Sequence, residues 1–289
     1  MALFKTCSVI LDGKKEVYRK GETVTGSLEL DVRRNVTLKG VRVYLCGATL
    51  VMWNGFGTQQ KDSEKYFEEF CTVFGMEENA TGSNHILTAG QHNYRFNFKI
   101  PRKNLPSSFE GKCGAIRYWV QVEIVMTFPN VNQWRYHGIT ILDDINVNHS
   151  EYQASVECQA QKQVFKTLGF GDAGSLTLTA VTDRGAYCAG ETIALKVVVK
   201  NESTRDLGKL KAQLEQKVVY KAKNEFSKSK IRTEHNVIRV LDGTPVMKGE
   251  DRVWKDQLLV DFDQGHILSH HCRQLLYQGT GGGVFGSEH

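Results

Sequence analysis

Few residues in this chain are spaced to do chemistry. His270, His271 and Cys272 offer soft metal ligands, but three adjacent residues of an extended chain point to different sides, and no distant pair stands ready to complete a tetrahedral site. Asp143 and Asp144 with His149 have the types needed for acid/base work, yet neighbouring carboxylates at a domain end read as turn residues. No GxSxG, Walker loop or helix-opening GxGxxG occurs, so nucleophilic and phosphate-transfer readings find no support. No catalytic residue, metal ligand or cofactor contact is expected, and the chain is not expected to be an enzyme. A charge cluster offers more. From Lys217 to Arg232, six basic residues (Lys217, Lys221, Lys223, Lys228, Lys230 and Arg232) stand against Glu225 alone. They form a candidate contact for an anionic membrane or a phosphoinositide, each cation near such a surface being worth about 1 kcal/mol. The plainer alternative is a solvated hairpin.

The surroundings of these residues narrow the class. A chain of 289 residues suggests two domains. With 37 basic and 32 acidic side chains the net charge is +5, small for this size, so no nucleic-acid partner is expected. Seven cysteines (Cys7, Cys46, Cys71, Cys113, Cys158, Cys188, Cys272) form no CxxC pair, the pattern of reduced cytosolic thiols. The first thirteen residues carry Lys5 and Asp12 and no apolar run of signal-peptide length, and Ala2 stands where myristoylation needs glycine. The longest uncharged stretch, Val43 to Gln60, is interrupted by Gly47, Asn54, Gly55 and Gly57 and does not read as a membrane span. A cytoplasmic location is expected, and the sequons at Asn35, Asn79, Asn148 and Asn201 are read as chance occurrences.

Apolar and polar residues alternate repeatedly, the period-two pattern of half-buried strands. Val24, Leu28, Leu30 and Val32 follow it, as do Val41, Val43 and Leu45, and then Tyr94, Phe96, Phe98 and Ile100. The longest run is Ile116, Tyr118, Val120, Val122, Ile124, Met126 and Phe128. Only Ser63 to Phe70 hints at a helix. The fold class is all-β, and the recurring turn residues suit antiparallel sandwiches.

One unit occurs twice. Tyr18-Arg19-Lys20-Gly21-Glu22-Thr23-Val24 returns as Tyr187-Cys188-Ala189-Gly190-Glu191-Thr192-Ile193, 169 residues later. At that offset Cys7, Val9 and Leu11 fall on Leu176, Leu178 and Ala180, Leu28 and Leu30 on Val197 and Val199, and Val41, Val43 and Leu45 on Leu210, Ala212 and Leu214. The glycines are expected to permit a tight turn, and the glutamates to accept hydrogen bonds there. Farther on, Leu258 and Val260 align by pattern with Phe96 and Phe98, which puts the counterpart of the 116–128 strand at 278–290. The glycine-rich Gln278 to His289 stands there, unsuited to packing as a strand. Two tandem sandwiches are expected, at 1–150 and 165–289, joined by a linker at 151–164. The second reads as incomplete, with a flexible tail from about residue 278.

Leu105-Pro106-Ser107-Ser108-Phe109-Glu110-Gly111, followed by Gly114-Ala115-Ile116-Arg117-Tyr118, resembles the first-domain motif of the α-arrestins, the arrestin-domain-containing proteins. Asp183 to Glu191, followed by Asn201-Glu202-Ser203, resembles the entry to their second domain, with Ala189 where that family usually has proline. The resemblance covers about residues 4–262. Pro106 cannot donate to a ladder, so Leu105 to Gly111 is expected to be a loop, and Arg117, opposite the apolar phase, an outward or inter-strand charge partner. Pro106, Ser107, Phe109, Gly111, Gly114, Arg117, Tyr118, Tyr187, Gly190 and Glu191 are the structural residues of the two motifs.

The resemblance implies an adaptor that links membrane receptors or transporters to ubiquitin ligases and endocytosis, peripherally associated with plasma membrane and endosomes. It also implies that Lys14, Lys15, Arg19 and Lys20 meet acidic or phosphorylated cargo. In that family the ligase docks on Pro-Pro-x-Tyr motifs, whereas Pro101, Pro106, Pro129 and Pro245 are all isolated here. A shortened form competing for cargo without ligase, or a retromer-type subunit, are the alternatives.

Overall fold

The computed structural model describes residues 3–55, 58–76, 84–143, 146–165, 172–223, 229–260, 277–279 and 283–285. They form two compact units, Met1–Asp144 with Tyr220–Arg232, and Ile145–Val219 with Thr233–His289.

The first unit holds β1 (Phe4–Leu11), β2 (Val17–Arg19), β3 (Thr23–Val32), β4 (Val36–Asn54), β5 (Gln59–Gly75), β6 (His85–Leu87), β7 (Gly90–Lys99), β8 (Phe109–Gly111), β9 (Gly114–Met126) and β10 (Gln133–Leu142). One sheet runs β1-β3-β7 and the other β5-β4-β9-β10-β2, with β6 on β4 and β8 on β9. Each described pairing here is antiparallel except β10 with β2. The alternating residues explain the two layers. Leu28, Leu30 and Phe98 face inward from one sheet and Val43, Leu45, Tyr118, Val120 and Val122 from the other, all buried in a single core. A fully buried side chain of this size stabilises by about 1.5–3 kcal/mol, so this shared face holds the layers together.

The second unit holds a short helix α1 (Ser150–Gln153) and then β11 (Val156–Phe165), β12 (Asp172–Thr182), β13 (Thr192–Asn201), β14 (Leu207–Lys223), β15 (Ser229–Val246) and β16 (Asp251–Leu259), the tip of the β14–β15 pair belonging to the first unit. The sheet β11-β12-β13-β16 packs on β14 and β15 through Leu176, Leu195, Val197, Val199, Leu210, Ala212 and Val246.

Several expectations need correction. Residues 151–164, read as a linker, hold α1 and most of β11, which pairs with β12 from Val156↔Thr182 to Phe165↔Asp172. β11 is a polar edge strand exposed along most of its length, so its sequence carries little apolar alternation. Ser63 to Phe70 lies in β5, not in a helix. Its charges mimic helical spacing because this part of the strand is largely exposed. The loop after Pro106 ends at Ser108, and Phe109–Gly111 pairs with Gly114–Ile116 as a tight hairpin. The 116–128 run stops as a strand at Met126, and Phe128 is 96% exposed. Pro129 supplies no N–H to continue the ladder. At the far end β17 (Tyr277–Gly279) pairs with β18 (Gly283–Phe285), where no strand was expected.

The repeat is visible atom by atom. Gly21 N–H donates to the Ile100 carbonyl at 3.1 Å and Ile100 N–H to the Glu22 carbonyl at 2.8 Å; Gly190, Val260 and Glu191 repeat this at 2.7 and 2.9 Å. Gly21 has φ 80° and Gly190 φ 89°, left-handed values that favour glycine. Two alignments shift. Val260 takes the place of Ile100 rather than of Phe98. Cys7 lies opposite Leu30, but Leu178, not Leu176, lies opposite Val199. Both shifts are of two residues, which leaves the inward face unchanged, so alternation could not detect them.

Candidate interaction surfaces

The first-domain motif builds a latch. Tyr118, 1% exposed, stacks on Phe67 with ring centroids 5.9 Å apart and donates its hydroxyl to the Pro106 carbonyl at 2.6 Å. Burial pushes the Tyr118 hydroxyl well above its ordinary pKa, so it remains a donor. The Ser107 hydroxyl accepts from Asp143 N–H at 2.9 Å and the Ser108 hydroxyl from Ile141 N–H at 3.0 Å, tying the Pro106 segment to the end of β10. Arg117 grips Glu110 with two hydrogen bonds of 2.6 and 2.8 Å across the β8–β9 hairpin. Phe109 is partly buried beside it, and Gly114 lets the hairpin turn approach the Leu50 carbonyl. A Cβ at Gly111 would collide with the Tyr220 hydroxyl and the Phe109 ring.

The second motif is built likewise. The Tyr187 hydroxyl donates to Asp183 Oδ1 at 2.5 Å, and burial followed by that bond pushes its pKa up to about 12. The Arg184 guanidinium lies 4.6 Å from the Tyr187 ring centroid and 3.2 Å from Glu191, while Glu191 Oε2 accepts from Cys188 N–H at 2.6 Å. Asn201, 1% exposed, donates to the carbonyls of Arg205 and Met247 at 2.8 and 2.9 Å. Its sequon is therefore inaccessible in the folded chain.

The six residues of the basic cluster are divided between the two units. Lys217 belongs to the second unit, while Lys221, Lys223, Lys230 and Arg232 belong to the first, at the tip of β14 and β15. Lys228 lies outside the described residues. Lys221 and Lys223 point outward while Tyr220 and Ala222, between and before them, are buried, and Lys223 pairs with Lys61 of β5. Lys230, Ile231 and Arg232 are exposed, so the tip is a cationic surface on a packed base.

The smaller basic group is largely committed internally. Lys15 bonds Glu22 at 2.9 Å and lies 4.9 Å from the Tyr18 ring centroid, and Lys20 pairs with Asp143 at 2.5 Å. Glu22 also accepts from Arg19 N–H, and the Lys15 bond, with this one, holds its carboxyl below the ordinary value. Lys14 is exposed with φ 53°.

Sequence reasoning missed one surface. The β9–β10 turn projects Phe128 and Val131, 96% and 83% exposed, whereas Phe128 was read as the end of the apolar strand run. Pro129 directly after Phe128 was the available signal that the alternation had ended. The Asp143 carboxylate pairs with Lys20, and His149 lies 3.9 Å from Glu151 at the start of α1. Asp144 and His270, His271 and Cys272 fall outside the described residues. Among the described residues no cluster of three metal-ligating side chains occurs, and no helix is long and apolar enough to cross a membrane.

Comparison with known proteins decides the family. The Arrestin (or S-antigen), N-terminal domain family matches residues 7–148 and the Arrestin (or S-antigen), C-terminal domain family residues 172–264. The chain belongs to the arrestin family. Its similarity lies with α-arrestins. Arrestin domain-containing protein 1 of Mus musculus is 29% identical over 248 residues, covering 84% of this chain and 52% of that protein. Thioredoxin-interacting protein of Pongo abelii is 27% identical over 204 residues, 70% of this chain and 51% of its own length. The human protein of that name is 26% identical over the same span. The arrestin-family chain described here thus spans about half the length of the curated relatives it matches.

Proposed function

We propose that this α-arrestin is a non-enzymatic cytosolic adaptor that gathers membrane receptors or transporters for endocytic trafficking and ubiquitination. The observation that carries the reading is the pair of arrestin domain matches in tandem order. The exposed cations Lys221, Lys223, Lys230 and Arg232 support a contact with anionic membrane or phosphoinositide, with Lys217 beside them in sequence. Support for an acidic-cargo contact at Lys14, Lys15, Arg19 and Lys20 is thinner, because Lys15 and Lys20 must first release Glu22 and Asp143. Exposed pairs of this kind are worth about 0–1 kcal/mol, so a multiply charged ligand can displace them.

A second reading follows from the prolines. Each of the four is isolated within these 289 residues, and the second reading is a form that competes for cargo without direct ligase docking. A pull-down from cells separates the readings. Membrane cargo together with a ubiquitin ligase supports the adaptor, and cargo alone supports the competitor. Stable co-purification with a fixed set of trafficking subunits and no diverse cargo would favour a retromer-type role instead. Recovery of neither a membrane protein nor trafficking subunits by a folded chain would contradict all three.

A further inference from the structure

We propose that the β9–β10 turn of the first unit, residues 127–132, is a lipid-inserting tip that seats this chain on an anionic bilayer. The proposal deepens the peripheral-membrane part of the reading above and moves it to a different place, since it needs neither cargo nor ligase. Phe128 and Val131 are the two most exposed large apolar side chains among the described residues, and they sit three residues apart on one turn. Leaving both in water is unfavourable unless a partner covers them.

The turn is rigidly presented. Asn130 N–H donates to the Thr127 carbonyl at 2.9 Å, and the Thr127 hydroxyl donates to the Thr37 carbonyl of β4 at 3.2 Å. Asn132 closes the base: its Oδ1 accepts from Met126 N–H at 3.0 Å, and its Nδ2 donates to Glu123 Oε1 at 2.9 Å. Glu123 is itself 6% exposed, and its Oε2 accepts from the Tyr44 hydroxyl at 2.8 Å. A turn anchored this way projects its apolar side chains without the ordering cost of a loose loop.

Charge and aromatic placement select the bilayer as occupant. Thr37, which the turn bonds, pairs with Ile86 of β6, itself 62% exposed. Arg34 precedes Thr37 by three residues, about 10 Å of extended chain. Across 33–39, 84–89 and 126–135 the cations are Arg33, Arg34, Lys39 and Arg135, and there is no aspartate or glutamate. Behind the tip, Trp134 and Tyr136 on β10 are 39% and 66% exposed, the residue types that settle at headgroup depth. An apolar tip on strands that also carry cations, Trp and Tyr is the composition of a surface that enters acyl chains shallowly and meets anionic headgroups. A convex tip of this kind fits a deformable bilayer better than a preformed pocket.

The test uses the purified full chain with vesicles of phosphatidylcholine alone or containing 30% phosphatidylserine by design, read by co-sedimentation. Expected is binding that rises with phosphatidylserine and weakens by roughly tenfold or more in Phe128→Ser/Val131→Ser, two apolar groups being withdrawn from lipid. Arg33→Gln/Arg34→Gln should weaken it by about fivefold per charge and reduce its salt sensitivity. Both substitutions lie on exposed side chains, and an unchanged thermal melt confirms the fold. Phe128→Trp should gain fluorescence that is quenched by lipids brominated in their acyl chains. Unchanged vesicle binding in Phe128→Ser/Val131→Ser, or no quenching at Trp in place of Phe128, overturns the proposal. Loss of binding only in Lys221→Gln/Lys223→Gln/Lys230→Gln/Arg232→Gln also overturns it, while leaving a membrane role to the hairpin tip. Absence of vesicle binding by the parent chain overturns it too, and the cell pull-down then still judges the cargo reading.

Discussion

The two copies of the repeated unit share a frame and differ in what the frame encloses. Gly21, Glu22 and Ile100 in the first copy, and Gly190, Glu191 and Val260 in the second, make the same backbone bonds. Yet the first core joins 26 buried residues and the second 7 among the described residues. The difference traces to strand neighbours. In the first unit β4 is flanked by β5 and β9, and among the described residues β14 up to Val219 has β15 beside it. Conversely β12 gains β11 as a polar edge, while β1 pairs with β3 only. The lesson is that a turn motif fixes where strands start, and the number of covered faces fixes how much stability they return.

The largest effect should come from the latch. Tyr118→Ala removes a buried ring, its stack on Phe67 and its bond to Pro106, and is expected to cost about 4 kcal/mol, against about 3 kcal/mol for Leu210→Ala in the smaller core. Urea unfolding followed by a probe in each unit checks both size and location; equal losses in both units from either substitution would erase the contrast. Next is Gly111→Ala, expected to cost about 1–3 kcal/mol because its Cβ meets Tyr220 and Phe109, with Tyr220→Phe recovering part of the loss. Gly21→Ala and Gly190→Ala come third, at about 1 kcal/mol each for forcing a left-handed turn on alanine. Matching shifts in thermal midpoint would sharpen the claim of one frame used twice.

The smallest effect is electrostatic. Glu110 sits below the ordinary carboxylate range because Arg117 hydrogen-bonds to it. Its unfolded form takes up a proton first as pH falls, so the pair's stabilisation is present above the ordinary carboxylate pKa of about 4.3 and is lost as pH drops through the lower folded value. The pair is exposed, which limits it to about 1 kcal/mol. Glu110→Gln should therefore lower the neutral plateau by at most about 1 kcal/mol and flatten the acid limb to match, the two profiles meeting at low pH.

Much of this frame was legible because period-two alternation reports inward faces directly. Val24, Leu28, Leu30, Val43, Leu45 and Val120 are all buried. Where both faces meet water the signal vanished, and β11 and the Ser63 to Phe70 stretch of β5 were misread for that reason. Register was illegible in the even-numbered shifts at Leu178 and Val260, which alternation cannot see. The binding surfaces were half legible. Charge density marked Lys221, Lys223, Lys230 and Arg232, but not that Lys217 belongs to the other unit or that Lys15 and Lys20 are paired. Phe128 was read as core because a strand pattern counts apolar residues and does not register where the ladder stops.

Hydrogen exchange of the whole chain, read peptide by peptide, tests the unequal enclosure most directly. Expected is slow exchange across Tyr118 to Met126, opening only with the first unit as a whole, and markedly faster exchange across β13 and β14 up to Val219. Equal protection of the two copies would contradict the account, because a frame returning the same stability from a described core cluster about a quarter the size would have to draw it from elsewhere.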